Sequence, residues 1–176
     1  MNKYLLKNIC LISILLSAAS QSFAERAFRV EANVGIANST SGGYDDGVFI
    51  DPSVAYTNAL IYRLGYLEID QMYLIDTNLG KRDVEIEIDG VYAGIGKDFK
   101  LKGIKLEIGG GIILAKSEGY YKGRRFSDDR EARPYLNSKL VIPIGGLFAL
   151  QGEIKYINDV SGSDLTLFGG GARFSF

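Results

Sequence analysis

From Phe28 onward the chain alternates apolar and polar residues with a period of two, as β-strands with two different faces do. The first segment sets Phe28, Val30, Ala32, Val34 and Ile36 against Arg29, Glu31, Asn33 and Gly35. Three later segments repeat the pattern. Ile104, Leu106, Ile108, Ile112 and Leu114 lie opposite Lys105, Glu107, Gly109 and Gly111; Phe148, Leu150, Ile154 and Tyr156 lie opposite Gln151, Glu153 and Lys155; and Phe168, Ala172, Phe174 and Phe176 lie opposite Gly169, Gly171, Arg173 and Ser175. Between them the pattern predicts a second strand over 50–64, a third over 66–76, a fourth over 83–99 and a sixth over 132–142, eight in all. The fourth changes phase, from Val84, Ile86 and Ile88 to Val91, Ala93 and Ile95, so a β-bulge at Gly90 is expected to restore its register. The second strand carries one misfit, because the phase that turns Tyr56, Leu60 and Tyr62 outward also turns Asn58 outward.

The connections alternate in length. Short turns are expected around Gly65, 100–103 and 143–146, and longer polar runs at 39–47 and 117–131. Aromatics gather near the short turns (Phe28, Tyr62, Tyr66, Phe99, Phe148, Phe174, Phe176), with a second set toward the loops (Phe49, Tyr73, Tyr156, Phe168). Short turns on one side, long loops on the other and two aromatic belts are the features of an antiparallel barrel in a bilayer. The glycines at 109–111 and 169–171 lie inside alternating segments and precede no helix, so they are read as room for long interior side chains.

Charge placement sets which face points where. With the apolar face toward lipid, the interior inherits the acids Glu31, Glu68, Asp70, Glu85, Glu87, Asp89, Glu107 and Glu153, and the bases Arg29, Arg63, Lys105, Arg133, Lys139, Lys155 and Arg173. The opposite choice would put charged side chains into hydrocarbon at about 2–4 kcal/mol for each Lys or Arg at midplane. A near-neutral interior implies mutual pairing, since an isolated buried ion is costly. The expected network comprises Arg29, Glu31, Glu68, Asp70, Lys105, Glu107, Arg133, Lys139, Glu153, Lys155 and Arg173. Eight strands enclose an interior that side chains fill, which argues against an open pore.

Ahead of the strands, residues 1–24 carry Lys3 and Lys7, an apolar core from Ile9 to Ala19, and Ser22-Phe23-Ala24, the plan of a cleaved secretory signal peptide. Two segments follow: 1–24 as signal peptide and 25–176 as the barrel. Beyond Ala24 the 20 basic residues fall to 18 against 21 acids, a net charge of −3, and no basic field for nucleic acid arises. Cys10 belongs to the leader, so the exported chain builds no disulfides. Histidine is absent, which removes the commonest general base and metal ligand. No catalytic residue, cofactor or metal is expected; acids at Asp45, Asp46 and 159–164 fit no calcium-loop spacing.

The last twelve residues, LTLFGGGARFSF, end a strand on Phe174-x-Phe176. With Tyr66-Leu-Glu-Ile-Asp, Ile88-Asp-Gly-Val-Tyr, and Tyr156-Ile-Asn-Asp-Val-Ser-Gly-Ser-Asp-Leu, this tail resembles the small eight-stranded outer-membrane proteins of the OmpA transmembrane-domain and OmpX/Ail type. The resemblance implies an all-β, antiparallel, up-and-down transmembrane barrel in the outer membrane of a Gram-negative bacterium, with no peptidoglycan-binding domain after it. Gly171, Phe174 and Phe176 match the family's assembly and closure signal, although Gly169 stands where a polar residue is usual. The partners implied are outer-membrane lipids, lipopolysaccharide, the barrel assembly machinery and host or envelope surface molecules, with the chain a monomer.

The function expected is structural, in envelope integrity, or surface interaction through external loops, as in adhesion or resistance to host defences. The candidate loop residues are Tyr120, Tyr121, Lys122, Arg124 and Arg125, whose bases suit lipopolysaccharide phosphates or another acidic partner. The alternative is a narrow channel or transporter for ions or small apolar molecules. A lipid-modifying enzyme ranks well below both, because those barrels rely on a histidine.

Overall fold

The computed structural model describes residues 28–40, 45–73, 84–121, 124–144 and 146–176. The leader expected at 1–24 lies outside the described residues. The strands are β1 (Phe28–Ser39), β2 (Gly47–Thr57), β3 (Ile61–Tyr73), β4 (Val84–Leu101), β5 (Ile104–Tyr121), β6 (Arg124–Ser127), β7 (Glu131–Pro143), β8 (Phe148–Val160) and β9 (Ser163–Ser175). Eight of them close a barrel in the order β1-β2-β3-β4-β5-β7-β8-β9, every pair antiparallel, and β6 adds to the upper end of β5. The seam pairs β1 with β9 from Arg29↔Ser175 to Ser39↔Leu165, and the Phe176 amide donates to the Phe28 carbonyl at 2.9 Å. Gly171 permits the seam: a Cβ there would lie 1.9 Å from the Ala32 carbonyl oxygen and 2.4 Å from Asn33 Oδ1. The rings of Phe174 and Phe176 meet edge to face with centroids 4.8 Å apart.

The first short turn is not at Gly65. The chain reverses at 58–60, where the Asn58 amide donates to the Leu60 carbonyl, and Gly65 pairs within β3. Asn58 is a turn residue, which removes the misfit of the expected second strand. The loop expected over 117–131 is also largely strand, with Tyr121↔Arg124 and Tyr120↔Arg125 paired across a hairpin. At the same end, β8 and β9 join through the tight turn Ser161–Gly162, with Asp159 and Ser161 at positive φ.

The expected bulge at Gly90 is absent. β4 pairs with β5 without a break from Val84↔Tyr121 to Leu101↔Ile104. The phase change is instead an inversion of what the two faces meet. Ile86 and Ile88 are buried inside the barrel, as is Tyr92, while Val91 and Ile95 face outward. Register shifts occur elsewhere, between Ile69 and Met72 and between Ile157 and Val160. The 18 residues of β4 and of β5 measure roughly 60 Å at ~3.3 Å per residue, whereas a tilted membrane span needs about 9–11 residues. The surplus projects beyond the bilayer on the loop side. There the interior is apolar (Ala37, Phe49, Leu67, Ile69, Met72, Ile86, Ile88, Ile113, Ile157, Leu165, Leu167), and on β3 and β4 the outward positions turn polar at Glu68, Asp70 and Glu87, the arrangement of a protein in water. Phe49 therefore joins this cap rather than an outer aromatic belt, and the Tyr73 side chain lies outside the described residues. Tyr66, paired with Val91 six residues above the 58–60 turn, marks the loop-side boundary and not the turn side.

Below the inversion the outer wall is apolar. Val34, Ile50, Leu64, Ile95, Ile112, Leu136 and Ile154 are each more than half exposed on it. A belt of that extent is a liability in water and a requirement in lipid.

Candidate functional site

The barrel interior beneath the apolar cap is a layered polar plug. Nearest the short turns, Glu107 accepts from Arg29 at 2.6 Å, Arg173 at 2.5 Å and Arg63 at 3.0 Å, each contributed by a different strand. Glu31 joins them, accepting from Lys139 at 2.8 Å and lying 3.1 Å from Arg173 and 3.3 Å from Arg63. One layer higher, Glu153 accepts from Asn33 at 2.6 Å and Asn137 at 3.1 Å, and Gln151 donates to Asn33 at 2.7 Å. In the third layer Lys155 donates to Asp51, Tyr92 donates to the same carboxylate at 2.6 Å, and the Lys155 ammonium sits 4.2 Å from the centroid of the Tyr92 ring. Tyr135 packs edge-on to Tyr92 at 5.3 Å. It needs Gly94 beneath it, since a Cβ there would fall 2.1 Å from the Tyr135 hydroxyl.

Among the described residues the buried ions are five bases (Arg29, Arg63, Lys139, Lys155, Arg173) and four acids (Glu31, Asp51, Glu107, Glu153). Each carboxylate takes two or more donors, so the desolvation of each ion is offset by charge-assisted hydrogen bonds. The phenol on Asp51 is one separable part. Tyr92→Phe is expected to lower the stability of the folded barrel by about 1.5–3 kcal/mol, the range for a hydrogen bond to a charged group, read as a shift of the denaturant midpoint in detergent micelles.

Of the residues expected in this network, Arg29, Glu31, Glu107, Lys139, Glu153, Lys155 and Arg173 meet inside the barrel. Arg133 lies at the loop-side rim, bonded to Asp159 at 2.7 Å and to Glu131. Lys105 is half-buried at the turn end and makes no ion pair with a described residue. Glu68 and Asp70 are exposed on the outer wall, with Glu87 exposed and Glu85 and Asp89 half-buried on the same outward face. Their placement corrects the expected network, because outward positions above the inversion meet water and accept charge. The expectation missed Asp51, Tyr92, Tyr135 and Asn137. Asp51 was legible, since the phase that turns Tyr56 outward turns Asp51 inward.

The displaced acids form a patch on the projecting wall. Glu68, Asp70, Glu87, Asp89, Tyr66 and Glu118 surround a hollow of about 260 Å³. Partial burial, then repulsion from Asp70, raises the carboxyl pKa of both Glu68 and Glu87. Hydrogen bonds from Arg125 and Lys116 lower that of Glu118. Among the described residues no group of acids converges tightly enough to hold a metal ion. Of the expected surface-binding residues, Tyr120 and Tyr121 end β5 and Arg124 and Arg125 begin β6, and Arg125 bonds Glu118. Lys122 and the side chains of Tyr120, Tyr121 and Arg124 lie outside the described residues.

No protein-family description matches the chain, and no curated protein matches it in sequence. Solved structures do. Neisserial surface protein A (NspA) superposes with a TM-score of 0.69 at 17% identity, over 85% of this chain and 97% of that one. The attachment invasion locus protein Ail of Yersinia pestis gives 0.57 at 12%, over 85% and 96%, and has also been solved with the heparin analogue sucrose octasulfate. The N-terminal β-barrel domain of Pseudomonas aeruginosa OprF gives 0.53 at 14%, over 84% and 97%. The chain has the fold of the small eight-stranded transmembrane β-barrels of bacterial outer membranes.

Proposed function

We propose that the protein is an integral outer-membrane barrel that conducts nothing through its interior and acts through its projecting end, as a structural or surface-interaction protein. The observation that carries this reading is the continuous plug. Three ion-paired layers fill the membrane-spanning interior, and an apolar cap of fully buried Leu67, Ile69, Met72, Leu165 and Leu167 seals it from the loop side. An ion would have to cross both, and among the described residues the cap offers it no buried charged partner. Planar bilayers holding the purified protein are expected to stay silent; steady channel openings would overturn the reading in favour of a narrow ion path. Recovery of the protein from the periplasmic fraction in soluble form, without heat-modifiable gel migration, would remove it from the membrane altogether.

The surface proposed for a partner is the end of β5 with β6, beyond the acidic wall of β3 and β4, which disfavours an anion. The co-structure of Ail with a heparin analogue supports a polyanion as the partner class, which lipopolysaccharide phosphates also satisfy. On this chain the candidate bases, by sequence, are Lys122, Arg124 and Arg125. Their replacement by Ala is expected to weaken binding to lipopolysaccharide or host-cell surfaces; unchanged binding would exclude the hairpin. The reading is non-catalytic, consistent with a chain without histidine.

A further inference from the structure

The outer wall of β3, β4 and β5 toward the short turns carries two adjacent features that the plug and the projecting surface do not use. The first is a groove of about 670 Å³ in the apolar belt. Tyr62, Leu64, Ile95 and Ile112 bound it, and Ala93 and Gly110 form its floor, so two small outward residues sit where the neighbouring outward positions are large. Its size is that of a site for a small molecule.

The second feature is basic. On β4 the outward series that lines the groove, Ala93 and Ile95, continues to Lys97, Phe99 and Leu101, so Lys97 lies one outward step, about 7 Å, from the groove. The turn beyond adds Lys102, whereas Lys100 and Lys105 are cross-strand partners in the inward phase of Asp98 and Glu107 and belong to the mouth of the barrel. Among the described residues no acid comes within ion-pair distance of Lys97 or Lys102; Asp98, between them in sequence, takes the inward phase opposite Glu107. The other short turns, 58–60 and 144–147, contain no charged residue at all. Lys97 and Lys102 thus concentrate positive charge on the one turn beneath the groove.

Resting on the membrane-barrel reading, we infer that this wall binds one anionic phospholipid. An acyl chain lies in the groove over Ala93 and Gly110, and the headgroup phosphate is held by Lys97 and Lys102, whose stems run along Phe99 and Leu101 to reach headgroup level. The charge selects the lipid. A phosphatidylglycerol headgroup presents its phosphate uncompensated, whereas phosphatidylethanolamine brings its own ammonium against the lysines.

Native mass spectrometry of the protein folded in non-ionic detergent, with equal amounts of the two lipids, tests this. The wild type is expected to retain one phosphatidylglycerol in preference to phosphatidylethanolamine. The double variant Lys97→Gln, Lys102→Gln is expected to lose that adduct by about tenfold or more. Ala93→Leu, which fills the groove from its floor without touching a charge, is expected to lose it as well. Equal retention of the two lipids by the wild type, or retention of phosphatidylglycerol by either variant, overturns the inference. Heat-modifiable migration of the same samples reports the barrel separately, so a failure of the fold is distinguishable from a failure of lipid selection.

Discussion

Glu107→Ala is expected to destabilise the folded barrel by about 3–5 kcal/mol, the cost of leaving buried charge without its partner. Glu107 is 2% exposed and accepts from three guanidiniums on three strands, Arg29, Arg63 and Arg173. Without it, Arg63 and Arg173 keep Glu31, but no other acid is within ion-pair distance of Arg29 among the described residues. Glu107→Gln is expected to cost less, because its carbonyl oxygen still accepts while its amide turns a donor toward guanidiniums that need none. Removing the stranded cation as well, in Arg29→Met with Glu107→Ala, is expected to recover part of the loss, and the double-mutant cycle measures the coupling. The readout is the denaturant midpoint in micelles, followed by the heat-modifiable band. A Glu107→Ala midpoint equal to that of the wild type would mean that water already satisfies these arginines, and the plug would not be the packed element described here.

The polarity inversion makes the second prediction, and β3 allows it to be tested on one strand. Its outward face runs Tyr62, Leu64, Tyr66 and then Glu68 and Asp70; its inward face runs Arg63 and then Leu67 and Ile69. Leu64→Arg places a cation in the lipid-facing belt and is expected to cost about 2–4 kcal/mol. Glu68→Arg, four residues along the same face, is expected to stay within about 0.5 kcal/mol, as exposed substitutions usually do. Inside, Leu67→Asp buries an unpaired carboxylate in the cap and is expected to be as damaging as Leu64→Arg, although Arg63 is at home on the same inward face. Midpoints of the three variants, measured side by side, check the pattern. A large cost for Glu68→Arg would place the membrane boundary above Glu68 and contradict the projecting sheet.

These placements also show which parts of the chain could be read ahead of the structure. Where a strand lies wholly within the bilayer the medium outside it is constant, so period-two alternation alone assigns each face. That is why the inward set Arg29, Glu31 and Asn33 of β1, and the set Gln151, Glu153 and Lys155 of β8, are found where the alternation puts them. Turn positions were harder. The reversal at 58–60 interrupts the alternation without Gly or Pro to mark it, and Gly65, the better local signal, is a strand residue packed beneath the Tyr92 ring.

The sequence by itself determined the closed all-β architecture, because alternation over eight segments leaves a lipid-facing barrel as the arrangement that buries its charges and exposes its apolar face. It determined the chemistry of the plug as well, since balanced inward charge must pair. Only the tertiary structure decided where each strand leaves the membrane. Alternation has the same period in water and in lipid, and it reverses sign when the surrounding medium changes, so Ile86 and Ile88 read as a register slip until their depth is known. The structure likewise decided which acid meets which base across the barrel. Arg29 and Glu107 lie 78 residues apart in the chain, and no local pattern brings them to 2.6 Å.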